Sequence, residues 1–315
     1  MKLSKPAFQG CKFLFLQELF PMNKHKSGFV NIIGCPNVGK STLMNALVGE
    51  KISIITSKAQ TTRHRIMGIV SGEDFQIVYS DTPGVLKPKY KLHESMMKFV
   101  GTALVDADVI LFMTDIFEDQ PIEEKVLERI KNSKVPVLLL INKIDLIKTE
   151  EQLKEIVEKW EKEVPNAEII SLSALQEFNT DKVFKRILEI LPEGEPFYPK
   201  DELTDKPETF FVSETIREKI LSNYHQEIPY SVEVIVESFK EDEKIIRIRA
   251  EIYVSRESQK AIIIGHQGGS IKKVGIQSRK DLEAFFGKQI HIELFVKVDE
   301  DWRDNANKLR RYGYE

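Results

Sequence analysis

Apolar residues recur along the chain with two periods, and the way those periods alternate divides it. A strand-like run at residues 30–33 gives way to helical spacing at Leu43, Met44 and Leu47. Two alternating runs, 65–70 and 75–80, are joined by Ser71-Gly72-Glu73-Asp74 and read as a hairpin. Beyond it the pattern predicts strands at 109–114, 135–141 and 169–172, and helices at 92–104, 123–131, 150–163 and 180–191. Strands that alternate with helices make a mostly parallel sheet wrapped by helices, with ligand sites at the carboxyl ends of the strands.

Residues 192–208 break this pattern. Pro192, Pro196, Pro199 and Pro207 stand among acidic residues without apolar periodicity, as in a linker. A second pattern follows: helix 210–224, strands 231–239 and 244–254, a short helix 258–264, a glycine break, helix 270–286 and strand 289–298. We therefore expect an extension at 1–25, weakly ordered, an α/β domain at 26–191, a linker at 192–208 and an α+β domain at 209–315. The apolar stretch 13–20 is too short to span a bilayer and lacks a small-residue cleavage site, so the extension reads as dispensable, with Met22 as the functional start.

A length of 315 residues suits two domains, and 42% apolar with 30% charged residues suits a folded globular chain. The net charge of −3 gives no global attraction to nucleic acid or anionic lipid, so such binding needs a local patch. Cys11 and Cys35 alone make neither a disulfide framework nor a metal-cysteine site, which points to a reducing, cytoplasmic setting.

Chemistry enters at Gly34-Cys-Pro-Asn-Val-Gly-Lys-Ser41. Between a strand and a helix, Gly34 and Gly39 let backbone N–H groups approach phosphate oxygens, and the helix start adds its dipole. Lys40 would reach the β and γ phosphates, and the Ser41 hydroxyl would ligate Mg²⁺. Asp81-Thr82-Pro83-Gly84 follows the hairpin; Asp81 can hold a water of the Mg²⁺ shell and the Gly84 N–H can meet the γ-phosphate. Residues 51–65 are polar, with Thr62 the candidate second Mg²⁺ hydroxyl; spacing leaves Thr61 as an alternative. Asn142-Lys-Ile-Asp145 ends a strand. The Asp145 carboxylate can accept from guanine N1–H and the 2-amino group, while Ser173 and Ala174 suit a backbone contact to the guanine carbonyl. Val85 stands where many GTPases have a water-orienting glutamine, so slow intrinsic hydrolysis is expected, with another residue, K⁺ or a partner completing the site.

In the second domain Gly265-His-Gln-Gly268 joins two helices. An isolated GxxG is often a plain turn, but residues 256–280 carry six basic residues against the single acidic Glu257, as a groove tracking a nucleic-acid backbone requires. The leading reading is an RNA-binding GTPase. The alternatives are a nucleotide-gated RNA clamp whose hydrolysis is incidental and a P-loop small-molecule kinase, which has no need of a guanine reader.

The motifs GCPNVGKST (34–42), KAQTTRHR (58–65), DTPG (81–84), NKID (142–145), SAL (173–175), LTDKPE (203–208) and IIGHQGGSIKKVGIQSRKDLE (263–283) resemble those of the Era family of GTPases over residues 26–314. The resemblance implies a P-loop GTPase domain with a six-stranded, mostly parallel sheet, followed by a type II KH domain. GTP or GDP would be held by Gly34, Pro36, Asn37, Val38, Gly39, Lys40, Ser41, Thr42, Asp81, Thr82, Gly84, Asn142, Lys143, Asp145, Ser173, Ala174 and Leu175. Catalysis would rest on Lys40, Thr62 and Gly84, and RNA would be held by Ile264, Gly265, His266, Gln267, Gly268, Gly269, Ile271, Lys272 and Lys273. The implied partners are the 3′ end of small-subunit ribosomal RNA and the pre-30S particle, for a monomer that associates peripherally with the cytoplasmic face of the membrane.

Overall fold

The computed structural model describes residues 24–117 and 122–314. The expected extension lies outside the described residues except for Lys24 and His25. Two compact units are present. The first takes the described residues up to Ser53, Thr62–Pro88 and Met96–Asp205; the second takes Ile54–Thr61, Lys89–Ser95 and the chain from Lys206 onward.

The first unit is built on a six-stranded sheet in the order β2-β3-β1-β4-β5-β6. Its strands are β1 Lys26–Gly34, β2 Ile66–Ser71, β3 Phe75–Asp81, β4 Val109–Asp115, β5 Val137–Asn142 and β6 Ala167–Ser171. All neighbours pair parallel except β2 with β3, the expected hairpin. The helices are α1 Lys40–Val48, α2 Lys91–Val105, α3 Glu124–Lys131, α4 Glu150–Glu163 and α5 Thr180–Ile190. Strands covered on both faces carry continuous apolar runs, and each residue of β4 and β5 is buried. On one face Phe112 meets Trp160 edge to face at 5.5 Å within a cluster that includes Ile130, Leu139 and Ile156. Elsewhere in the unit Phe75 meets Phe184 at 5.8 Å, again edge to face. Each such side chain contributes roughly 1.5–3 kcal/mol by leaving water.

The segment after α5 is an ordered strap rather than a free tether. The Ile69 N–H donates to Leu203 O, Thr204 Oγ1 donates to Met67 O at 2.6 Å, and the Met67 N–H donates to Asp205 Oδ1 at 3.1 Å. The outer edge of β2 would otherwise expose unpaired backbone groups, which is the physical reason to cover it. Buried Gln76 fixes the strap from β3: its Oε1 accepts from the N–H groups of Phe197 and Tyr198 at 2.7 and 2.9 Å, and its Nε2 donates to Tyr198 O at 2.8 Å.

The second unit has α6 Glu208–Asn223, α7 Ile228–Ser231, β7 Glu233–Glu241, β8 Ile245–Val254, α8 Glu257–Ile264, α9 Gly269–Phe286, β9 Gln289–Val298 and α10 Ala306–Arg311. β8 pairs antiparallel with β7 and parallel with β9, so β9 is an edge strand. Val212, Ile216 and Ile220 of α6 and Val274 and Leu282 of α9 cover one face, over Ile246, Ile248 and Ile252 of β8. Two short helices escaped the sequence pattern because four or six residues carry too little periodicity. α7 has a proline in its first turn, and Asn305 caps α10 by accepting from the Asn307 and Lys308 N–H groups at 3.0 and 3.2 Å. The C-terminal segment is anchored by Trp302, whose Nε1 donates to Ser231 O at 3.1 Å, and by Tyr314, whose hydroxyl donates to Glu233 Oε2 at 2.7 Å.

Replacing Gln76 with Leu should strand two strap N–H groups without an acceptor. The expected cost is about 2–4 kcal/mol, read as a lower urea midpoint with an unchanged m-value; wild-type stability would show that the strap holds without it.

Candidate functional site

β1 ends at Gly34 and α1 begins at Lys40, and the turn between them lies over the carboxyl ends of β4 and β5. The close approach is what requires glycine. A Cβ on Gly34 would sit 2.1 Å from Met113 O, and one on Gly39 would sit 2.3 Å from Asn142 Nδ2; Gly39 also has φ 106°. Asn37 is left-handed at φ 65°, so the turn is a tight nest of N–H groups capped by the start of α1. Gly84 packs against Pro36 at 2.7 Å from its would-be Cβ, and the Val85 N–H donates to Gly34 O at 3.0 Å.

Lys40 is buried beneath this turn and donates to Cys35 O at 2.8 Å. Burial lowers its pKa to about 8, against the opposing pull of Asp81 and Cys35. Ser41 Oγ donates to Asp81 Oδ2 at 2.6 Å and lies 2.9 Å from Thr62 Oγ1, which is itself 3.2 Å from Asp81 Oδ2. Three oxygen-bearing side chains from α1, the polar segment and β3 thus converge beside one buried ammonium. Asp81 is fully buried, which pushes its carboxyl upward against the hydrogen bond from Ser41 and the charge of Lys40. Asp81 Oδ1 makes no hydrogen bond within the described residues.

The ambiguity between Thr61 and Thr62 has a geometric answer. Thr61 Oγ1 donates to Lys58 O and pairs with Thr56 Oγ1, both at 2.6 Å, while Thr62 faces Ser41 and Asp81. Arg65, to which the sequence reading assigned no role, anchors the chain just after Thr62. Its guanidinium is buried and donates to Ser80 Oγ at 2.6 Å, Asn31 Oδ1 at 3.2 Å and Asp106 Oδ1 at 3.0 Å. Thr82 turns away from the turn: its buried hydroxyl donates to Ile32 O at 2.6 Å. Its side chain is therefore committed to the strand end.

A second group gathers at the ends of β5 and β6. Asn142 Nδ2 donates to Val38 O at 2.7 Å, and its Oδ1 accepts from the Ala174 N–H at 2.9 Å. One buried amide therefore ties the phosphate turn to the Ser173-Ala174-Leu175 turn. Lys143, left-handed at φ 64°, pairs with Asp115 Oδ2 at 2.5 Å and lies 5.4 Å from the Phe117 ring centre. Asp145 and Leu175 are exposed beside them, while Ser173 is buried and its Oγ accepts from the Gln176 N–H. Asp115 and Phe117 were missed because they follow β4, a strand whose end carried no motif.

In the second unit, α8 and α9 meet at the glycine turn. Gly265 has φ 69° and Gly268 φ 74°, while Gln267, left-handed at φ 49°, and His266 are exposed. The two glycines differ in purpose: a Cβ on Gly265 would meet Ser270 Oγ at 2.1 Å, whereas one on Gly268 or Gly269 would meet nothing within 4 Å. The open side of the turn is thus bare backbone at the N-terminus of an 18-residue helix. Alongside runs a groove of about 300 Å³ between α9 (Ile271, Lys272, Gly275, Ile276, Arg279) and edge strand β9 (Ile290, His291, Ile292, Leu294). Lys272 lines it and Lys273 does not. Arg279 and the β9 residues were invisible to a reading centred on the turn, although Ile276, 52% exposed on a helix with a buried apolar face, was a signal.

Phosphate turn, convergent hydroxyls and carboxylate, base-edge carboxylate and glycine turn together define a P-loop GTPase joined to a KH domain. A family model described as 50S ribosome-binding GTPase matches residues 29–143, and a KH domain model matches 227–303. GTPase Era of Staphylococcus haemolyticus and of Staphylococcus epidermidis are each 45% identical to the chain over 295 residues, which is 93% of this chain and 98% of the relative. The chain belongs to the Era family of GTPases. Among solved structures it is similar to Era in complex with MgGDPNP and nucleotides 1506–1542 of 16S ribosomal RNA, at TM-score 0.88 and 40% identity. It is equally similar to a point variant of Aquifex aeolicus Era bound to GDP and AlF4⁻, at TM-score 0.88 and 41% identity. Each comparison covers 92% of this chain and 99% of the other.

Asn142→Ala should leave the Val38 carbonyl and the Ala174 N–H without their buried partner. We expect a loss of about 2–4 kcal/mol in denaturant unfolding; a loss below roughly 0.5 kcal/mol would mean that the two turns hold themselves.

Proposed function

We propose that the chain is a GTP-hydrolysing switch that binds the 3′ end of 16S ribosomal RNA and acts in assembly of the small ribosomal subunit. The observation that carries this reading is the convergence of Ser41, Thr62 and Asp81 beside buried Lys40, on a chain that also holds a bare glycine turn above a basic groove.

The donor set fits a hard divalent cation: two hydroxyls and a carboxylate, with Asp81 Oδ1 left unpaired where a metal-bound water would donate. Ser41 and Thr62 would hold Mg²⁺ directly and Asp81 through water. Bound Mg²⁺ supplies charge neutralisation at the β and γ phosphates. The chain's own residues do the rest. Lys40 exchanges the Cys35 carbonyl for phosphate oxygens, and the N–H groups from Asn37 to Thr42 surround the β-phosphate. The Gly84 N–H meets the γ-phosphate, and Thr62 leaves that position when the phosphate is lost. Lys143, steadied by Asp115, lays its stem along the base plane while Asp145 reads the guanine edge.

Val85 is buried in the core and has no group to orient water, which supports slow intrinsic hydrolysis completed by K⁺ or by a partner. In the second unit the bare N–H groups at Gly268 and Gly269 clamp RNA backbone, Lys272 and Arg279 contribute charge, and the apolar floor from Ile271 to Leu294 receives bases. That reading puts the protein in the cytoplasm as a monomer at the pre-30S particle, with peripheral contact at the membrane. No described helix is long and apolar enough to cross a membrane.

Two variants test the two halves. Asp145→Asn should move preference from GTP toward xanthosine triphosphate, whose 2-carbonyl can accept from the new amide; competition binding that still favours GTP as strongly as wild type would remove Asp145 from base reading. Gly268→Asp places a carboxylate in open space at the turn, so the fold should bear only the left-handed backbone cost of about 1–2 kcal/mol. RNA affinity should fall at least about tenfold while GTP affinity is kept; undiminished RNA binding would make the turn a plain helix connection.

A further inference from the structure

The face of the β7-β8-β9 sheet turned away from the helices carries an arrangement that the groove does not use. Cross-strand register sets its rows: Lys240 opposite Arg247 opposite His291, then Ser238 opposite Arg249 opposite Glu293, then Ile235 opposite Glu251 opposite Phe295. The first row is basic throughout when His291 is protonated. Like charges directly opposite on a sheet destabilise it, and Lys240 faces Arg247 across β7 and β8. Arg247 is paired only at the surface, with Asp242 in the hairpin, both more than half exposed. In the neighbouring rows the Arg249 guanidinium lies 4.5 Å from the centre of the Phe295 ring, an aromatic side chain 39% exposed on a solvent-facing strand position. These side chains rim a concavity of about 570 Å³ lined by Ser238, Lys240, Arg247, Arg249, His291 and Glu293, with Ile245 and Ile248 at its base.

The concavity continues the groove. His291 lines both, because it stands on edge strand β9 with the groove on one side and the open face on the other. A strand that leaves the groove past Lys272 and Arg279 crosses a single strand's width at His291 and meets Arg247 and Arg249.

We propose that this open face is a second RNA-binding surface, which takes the single-stranded segment continuing out of the glycine-turn groove. Lys240 and Arg247 contact its phosphates, and a base extends the stack that Arg249 and Phe295 already form. Cationic side chains interleaved with an exposed aromatic on a sheet face suit single-stranded RNA, because every base has a stacking face whatever its sequence. The proposal rests on the reading that the groove binds RNA.

The test uses the full-length protein and two single-stranded RNAs from the 3′ end of small-subunit ribosomal RNA, one of about six nucleotides, enough to fill the groove, and one of about twelve. Wild type should bind the longer RNA about tenfold more tightly. Phe295→Ser with Arg249→Gln, and separately Lys240→Gln with Arg247→Gln, should abolish that difference and leave the affinity for the short RNA unchanged. The lysine-arginine pair should also reduce the salt slope for the longer RNA by about two. Circular dichroism and a urea melt confirm that each variant is folded. Wild-type binding of the longer RNA by both folded variants overturns the proposal and leaves the face to another occupant, such as a second copy of the chain. Failure of the wild type to bind the short RNA overturns the groove reading itself, a separate outcome.

Discussion

The first unit depends on backbone passing where no side chain fits. The turn after β1 crosses the end of β4 so closely that a Cβ on Gly34 would lie 2.1 Å from Met113 O, and one on Gly39 would lie 2.3 Å from the Asn142 amide. Parallel pairing of β1 with β4 and of β4 with β5 brings those three strand ends level. The Asn142 amide then closes the gap, with Val38 on one side and Ala174 on the other. A phosphate turn and a base-reading turn about a hundred residues apart in sequence become one rigid edge.

That edge stores unfavourable electrostatics beside favourable packing. An ammonium and a carboxylate are both buried, one with its pKa pulled down to about 8 and the other pushed up, and each desolvation outweighs the pair's mutual attraction. The surrounding apolar strands supply the stability that holds such groups in place, and an incoming triphosphate with its cation removes the mismatch. Arg65 shows the complementary case, a buried guanidinium whose partners on β1, β3 and the end of α2 satisfy it. It stabilises the segment that must present Thr62, so the order needed at the site is contributed from outside it.

The second unit uses one small sheet twice. Its inner face makes the core with α6, α8 and α9, and its β9 edge with α9 makes the groove. The alternation of side chains along β8 and β9 leaves the charged residues and Phe295 on the other face. A three-stranded sheet needs only one covered face to fold, which leaves the second free for recognition.

Elements and chemistry were legible along the linear chain. Periods of two and of 3.6 located the nine strands and most of the helices among the described residues, because burial on one or both faces imposes those periods directly. The motifs at Gly34, Asp81, Asn142 and Gly265 could be read because each packs its function into a few adjacent residues. Whatever depends on distant residues meeting was left to the packed fold. Packing turned Thr62 rather than Thr61 toward Ser41 and Asp81, and committed the Thr82 hydroxyl to Ile32. It brought Asp115 to Lys143, bound the proline-rich strap to β2, and faced Arg279 toward His291 across a groove. Such pairings are set by strand register and by helix rotation over a sheet, and a linear pattern carries the period of an element but not its neighbour.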